Sequence, residues 1–256
     1  MATYKKRGYK PKTQEEKQHD IEDGSTTAEV FNTLDETASK TEDFVAKNQK
    51  YIFIIIGLVA AIVLGSLAYK EYVAEPKQEA AMNDMFQAQK YFDEAVNGAS
   101  KDSLYNLALN GGEGKFGMLD IIKEYSGTPS ANLASYYAGT AYLRLKDYKN
   151  AVEHLSDFKS DDEILAPLAK GNIGDAFVQL NQPEDALGYY EQAAEMRNNG
   201  FTTPMYLFKA GTIALDLGKA DKALAYFKRI KDDYANSTEA GKVDVFIGKA
   251  QVLANK

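Results

Sequence analysis

The sequence predicts an all-α chain, with a single N-terminal transmembrane helix followed by an α-solenoid of three to four helix-turn-helix repeats. Two observations carry this. The stretch Tyr51–Tyr69 holds no charged residue and is bordered by Lys50 and Lys70. Behind it, Gly139, Gly174 and Gly211 recur 35 and 37 residues apart, and with them Leu145, Leu180 and Leu217, then Ala151, Ala186 and Ala223. Recurrence at such a period marks stacked helical units, none of which can bury its apolar stripe alone.

Bulk composition narrows the function classes. The chain has 256 residues, 45% hydrophobic and 26% charged, which suits a globular domain. A net charge of −7 gives no general reason to expect a specific nucleic-acid partner. The absence of cysteine excludes structural disulfides, thiol nucleophiles and Cys-based metal sites. Two histidines, His19 and His154, are too few for a histidine-rich metal site.

Residues 1–50 form a tail. Its first 24 residues are polar, begin with the basic run "YKKRGYKPKTQEEK" and lack an apolar period, so they read as disordered. After them, Thr26 and Glu29 fit a capping box, and Val30, Leu34 and Val45 share an approximate helical face. A short amphipathic helix and a solvated helical linker are the two readings of that stretch.

Residues 51–69 supply the membrane helix. At about 1.5 Å per residue the stretch spans roughly 28 Å, the hydrocarbon thickness of a bilayer. Tyr51 and Tyr69 sit where interfacial aromatics belong, and Lys50 and Lys70 can snorkel. A buried core helix is the other reading, but a soluble helix of this length keeps a polar face. A cleavable leader would begin with a short basic segment instead of fifty residues. Gly57, Ala61 and Gly65, spaced by four, form a small-residue stripe on which a second helix could pack; Gly and Ala are also common in membrane helices at large. Near the span the lysines tie: Lys40, Lys47 and Lys50 before it, Lys70, Lys77 and Lys90 after it. The short tail holds nine Lys/Arg, and long domains translocate largely regardless of charge. The tail is therefore expected in the cytoplasm and the C-terminal domain outside, which in a bacterium means an inner-membrane protein with a periplasmic domain.

Residues 76–256 form the solenoid, with 76–128 as an irregular capping region and 129–256 as the repeats. In residues 76–96, Met82, Phe86, Gln89/Lys90, Phe92/Asp93 and Val96 follow helical spacing, widened by Met85 and Ala88. A glycine turn in "LNGGEGKFG" precedes a helix from about Lys115 to Tyr125. In the repeats, the recurring Gly and Ala fall on successive antiparallel helices that cross closely, with Leu155, Tyr190 and Phe227 filling the space between. Pro129 and Pro204 start first helices, and Pro183 fits the first turn of a second.

The repeat positions resemble tetratricopeptide repeats. The match lies in Gly139, Gly174 and Gly211, in Ala141 and Ala176 (Ile213 departs), in the aromatic Tyr142 and Phe177 (Ala214 departs), and in the later Ala151, Ala186 and Ala223. Ser135 stands where that family carries a large residue. The resemblance covers about 129–256 and implies a tetratricopeptide-like solenoid whose first helices line a concave, protein-binding face. By position that face includes Tyr136, Thr140, Leu143, Arg144, Asp175, Val178, Gln179, Met205, Phe208, Thr212, Leu215, Asp216 and Lys249. Aromatics, Met and aliphatics with a few charges suit a polypeptide ligand; packing against the neighbouring helix is the other use of such residues.

No catalytic motif survives inspection. "GGEGKF" lacks the Gly and the Ser/Thr of a phosphate loop, with Leu109 and Phe116 in those places. Asp161, Asp162 and Glu163 lack the alternating ligand spacing of a calcium loop and read as a charged turn. His154 reads as a surface residue. The chain is expected to be no enzyme and to need no cofactor or metal.

The layout of tail, membrane helix, "QEAAMNDMFQAQKYFDEA" and "GMLDIIKEYSGTPSANLASYYAGTAYL" before the repeats resembles the ancillary SecYEG translocon subunit family. That resemblance implies a translocon-associated, chaperone-like scaffold whose partners are SecYEG, periplasmic folding factors or unfolded chains. The alternative is a scaffold for assembly or regulation of another cell-envelope complex.

Overall fold

The computed structural model describes residues 26–98 and 101–255, with side chains from Thr41 onward. The disorder expected for residues 1–24, and the side chains of Thr26, Glu29, Val30 and Leu34, lie outside the described residues. The chain divides after Tyr69 into two units.

The first unit contains α1 (Thr26–Tyr69), a helix of 44 residues. Val45 is exposed, as are the apolar side chains of the charge-free stretch apart from the half-buried Ile52, Phe53 at 63% and Leu64 at 65% among them. Helix α1 is long and apolar enough to cross a membrane. Gly57, Ala61 and Gly65 are exposed along it, with nothing within 4 Å of the site where either glycine would carry a Cβ.

The second unit is all helical among the described residues apart from an isolated bridge between Gly112 and Lys115. A π-helical turn, Lys70–Ala74, leads into α2 (Glu75–Asn97), α3 (Lys101–Asn110) and α4 (Met118–Glu124). Three antiparallel pairs follow: α5 (Pro129–Arg144) with α6 (Tyr148–Asp157), α7 (Leu165–Gln179) with α8 (Pro183–Met196), and α9 (Thr202–Asp216) with α10 (Ala220–Asp233). The last helix is α11 (Val243–Ala254). Each second helix also packs on the first helix of the next pair, so the units stack.

Local chemistry sets these boundaries. Thr128 caps α5, its Oγ1 accepting the Ala131 N–H at 3.1 Å, with Pro129 in the first turn. The Asp162 carboxylate accepts the N–H groups of Ile164 at 2.8 Å and Leu165 at 2.7 Å at the start of α7, which lowers its pKa. The acidic turn "SDDE" is thus a helix cap, and Asp161 beside it pairs with Arg197 at 2.7 Å. Asn199 does the same at α9, accepting from Phe201 and Thr202. Pro204 is the third residue of α9, not its first.

The three first helices end alike. Lys146, Asn181 and Gly218 have φ of 64°, 57° and 73°, and the following N–H groups of Asp147, Gln182 and Lys219 bond back to Tyr142, Phe177 and Ala214. This is the left-handed termination that closes a helix end, and Gly or Asn is its usual occupant. Lys146 is the exception among the three.

The recurrent glycines are set by close crossing. A Cβ on Gly139 would fall 2.5 Å from Leu155, on Gly174 2.6 Å from Tyr190, and on Gly211 2.6 Å from Phe227. Those three partners lie on the second helix of the same pair. Ala151, Ala186 and Ala223 are fully buried on those second helices. Gly248, the fourth copy, has open space around it, because α11 has no second helix across it among the described residues.

Two features of the leading region differ from the sequence expectation. The buried face of α2 is Ala81, Met85, Ala88, Phe92 and Ala95, while Met82 (56%), Phe86 (67%) and Val96 (52%) are exposed. Two stripes share this helix, and the small alanines of the inner one let α3 and α5 approach. The fourth helix starts at Met118 instead of about Lys115, because the Gly112–Lys115 turn occupies the residues before it. Polar bonds fix α2 against the chain that follows α4. Gln78 donates to Ser130 Oγ at 2.8 Å and accepts the Ser130 N–H at 3.0 Å, and Lys77 donates to the Ser126 carbonyl at 2.8 Å. The Gln78 carboxamide oxygen thereby serves a free N–H in the first turn of α5.

Candidate protein-binding face

The first helices α5, α7 and α9 touch one another along one side of the stack. A groove of about 400 Å³ runs between α5 and α7, lined by Leu143, Arg144, Lys146, Tyr148, Asp175, Val178, Gln179 and Tyr190. It brings together five of the residues expected at the binding face: Leu143, Arg144, Asp175, Val178 and Gln179. A second groove of about 600 Å³ lies between α2 and the start of α5, with Met82, Phe86, Gln89 and Leu133 in its lining. Sequence reasoning placed Met82 and Phe86 on the packing stripe and so missed it.

The other expected residues are placed as follows. Tyr136 is half-buried, its ring 5.2 Å from Phe158, and burial raises its pKa. Thr140 is half-buried one position before Ala141. Phe208 is half-buried in an aromatic triad with Phe227 and Phe246, at 5.7 and 4.9 Å, and the Lys242 ammonium lies 4.8 Å above its ring. Met205 packs partly buried against the same core, and the Thr212 hydroxyl donates to the Phe208 carbonyl at 2.9 Å. Leu215 is in the core at 7% exposure, which takes it off the surface. Asp216 and Lys249 are exposed.

Asp175 is committed to the fold. Its carboxylate accepts from Lys209 Nζ at 2.6 and 2.8 Å and from the Tyr190 hydroxyl at 2.6 Å. The same ammonium stands 5.5 Å from the Tyr190 ring and 5.7 Å from the Tyr206 ring, within cation–π range. Burial first, and the Asp175 charge second, push both phenols above their ordinary pKa, so both are neutral at physiological pH. Lys209 and Tyr206 were missed from sequence. The signal was the interval: Lys209 follows Asp175 by 34 residues, one repeat on.

That interval governs the polar surface generally. Lys219 reaches Glu184, Tyr226 reaches Glu191, Arg229 reaches Glu195 and Tyr234 reaches Asn198, separations of 34 to 36 residues. Helices packed side by side lie about 8–10 Å apart, so side chains one repeat apart face each other. Exposed pairs of this kind contribute at most about 1 kcal/mol each, but together they fix the register of the stack.

His154 is half-buried, not on the open surface. Its ring stacks on Tyr142 at 5.4 Å, and its Nδ1 is buried with no hydrogen-bond partner among the described residues. Burial lowers its pKa from 6.5, against the opposing charges of Glu153 and Asp157. The unfolded chain therefore takes up the proton first, and this contribution to stability falls as pH drops below about 6.5. Thermal melts between about pH 7 and pH 5 should show a shallower decline in His154→Phe than in the parent chain. Equal slopes would show that the stacked ring is not responsible.

Two tetratricopeptide-repeat family models match the chain, over residues 133–162 and residues 172–238. Over those residues the chain matches tetratricopeptide repeats. The first match covers most of α5 and all of α6, the second the latter half of α7 through α10. A comparison with curated proteins gave no match. Tetratricopeptide repeats are protein–protein interaction modules and generally non-catalytic, and neither match is to an enzyme family. The α5–α7 groove is therefore a candidate site for protein partners.

Proposed function

We propose that this chain is a membrane-anchored, non-enzymatic scaffold of chaperone type that works beside the SecYEG translocon, on emerging chains or with periplasmic folding factors. The observation that carries the reading is the order of parts. A helix long and apolar enough to span a bilayer is followed by an irregular capping region and then by tetratricopeptide repeats, the layout of the ancillary translocon subunits the sequence resembles. The basic tail favours a cytoplasmic N-terminus, which carries the repeats to the periplasmic side of the inner membrane.

Extraction in mild detergent after crosslinking tests this. Channel subunits are expected to co-purify with the chain. Their clean absence, with crosslinks to another envelope assembly instead, would reassign the scaffold to that assembly. Protease added to spheroplasts should digest the repeats and spare the tail; digestion of the tail alone would reverse the sidedness and end the translocon reading.

A further inference from the structure

The α5–α7 groove differs from the rest of the stack in its charge. Between α7 and α9, Lys209 is neutralised by Asp175 at 2.6 Å. One repeat earlier, the places of Asp175 and Lys209 are taken by Thr140 and Asn172, so that ion pair has no counterpart. Two cations border the groove instead, Arg144 at the end of α5 and Lys146 just after it, and neither is ion-paired among the described residues. Lys101 faces Arg144 across an adjoining cavity of about 350 Å³ at the start of α3, with Asp102 beside it. Of the groove's own lining, Asp175 is the one carboxylate, and it is already saturated.

Lys146 is costly where it stands. Its φ of 64° is the left-handed conformation that Asn181 and Gly218 adopt in the equivalent places with less strain. Strained backbone of this kind clusters at functional sites. Here the side chain lines a groove floored by Leu143 and Val178, with the Tyr148 hydroxyl and the Gln179 amide, 3.4 Å apart, on the rim.

We propose that the groove between α5 and α7 binds an acidic polypeptide segment, Arg144 and Lys146 taking its carboxylates and Leu143 with Val178 an apolar side chain between them. The proposal rests on the reading of the first helices as the protein-binding face, and it names the chemistry of the ligand. A guanidinium and an ammonium without internal counter-ions attract carboxylates and disfavour basic segments, against the net charge of −7 that the chain carries as a whole.

The test uses the full chain in mild detergent and fluorescence anisotropy. The probes are a labelled peptide of alternating Glu and Leu and its twin with Gln for Glu. Saturable binding is expected for the acidic peptide, weakening with salt, and at least about tenfold weaker binding for the twin. Arg144→Gln combined with Lys146→Asn should weaken the acidic peptide by at least about tenfold. Lys146→Asn alone should leave the thermal midpoint unchanged or raise it, since Asn tolerates that backbone, which separates lost binding from lost folding. Equal affinity for the two peptides, or an unaffected double variant, overturns the proposal. So does displacement by inorganic polyphosphate as effective as by the peptide, since the groove would then be a bare anion site. These outcomes are read in vitro, so the groove assignment can fail while channel crosslinks persist, and the reverse.

Discussion

Gly171→Ala should lower the stability of the repeat stack by about 3 kcal/mol and its melting temperature by about 6–12 °C. A Cβ at Gly171 would fall 1.9 Å from Tyr206 Cε1, 2.0 Å from Cζ and 2.3 Å from the hydroxyl. The Tyr206 ring is 1% exposed, wedged between α7 and the core of the following repeats, so it cannot swing aside without breaking its packing. Nothing in the helical backbone at Gly171 forbids alanine, which is the better helix former; the loss is purely steric. A double-mutant cycle isolates it. In a Tyr206→Ala background the added methyl has room, so Gly171→Ala should cost little or gain slightly there. Additive losses would show that the α7–α9 crossing is looser than described.

Asp175→Ala should cost about 2 kcal/mol, with Asp175→Asn costing about half as much. Removing the carboxylate leaves Lys209 without its counter-ion and the Tyr190 hydroxyl without its acceptor, at the junction where α7, α8 and α9 meet. The pair is about one-third exposed, which keeps the loss below that of a fully buried ion pair. Replacing both charged partners with apolar residues, Asp175→Leu with Lys209→Met, should recover much of the loss, because no charge is then left unpaired. A neutral effect of Asp175→Ala in thermal melts would mean that the triad adds nothing to the stack.

Much of the architecture was readable because it rests on periodic constraints. Gly139, Gly174 and Gly211 recur because each faces a bulky residue sixteen positions on, and the spacing alone revealed which residues those were. The long apolar helix α1 was readable from its charge-free length. The leading region was harder, because α2 carries two stripes. Met82 and Phe86 repeat at helical spacing just as Met85 and Phe92 do, and only the approach of α3 and α5 decides which stripe is buried. Helix α3 went unrecognised before the glycine turn for the same reason: its core residues Tyr105, Ala108 and Leu109 are few, and their partners lie on other helices. The groove was partly legible. Position along the first helix indicated Leu143, Arg144, Asp175, Val178 and Gln179. What position could not convey is occupancy: Asp175 is taken by Lys209 one repeat later, Leu215 sinks into the core, and Phe208 joins an aromatic triad. Lys146 escaped notice because its role depends on a left-handed backbone in a turn that the repeat pattern leaves unmarked.

Site-specific photocrosslinking in living cells, from Gln179 in the α5–α7 groove and from Gln192 on the second helix α8, tests the account at its centre. Both positions are exposed, so both probes can report a neighbour. The account predicts a discrete protein adduct from Gln179, with channel subunits or envelope folding factors among the partners, and no such adduct from Gln192. Adducts from Gln192 alone would place the partner on the opposite side of the stack and contradict the first-helix face as the binding surface.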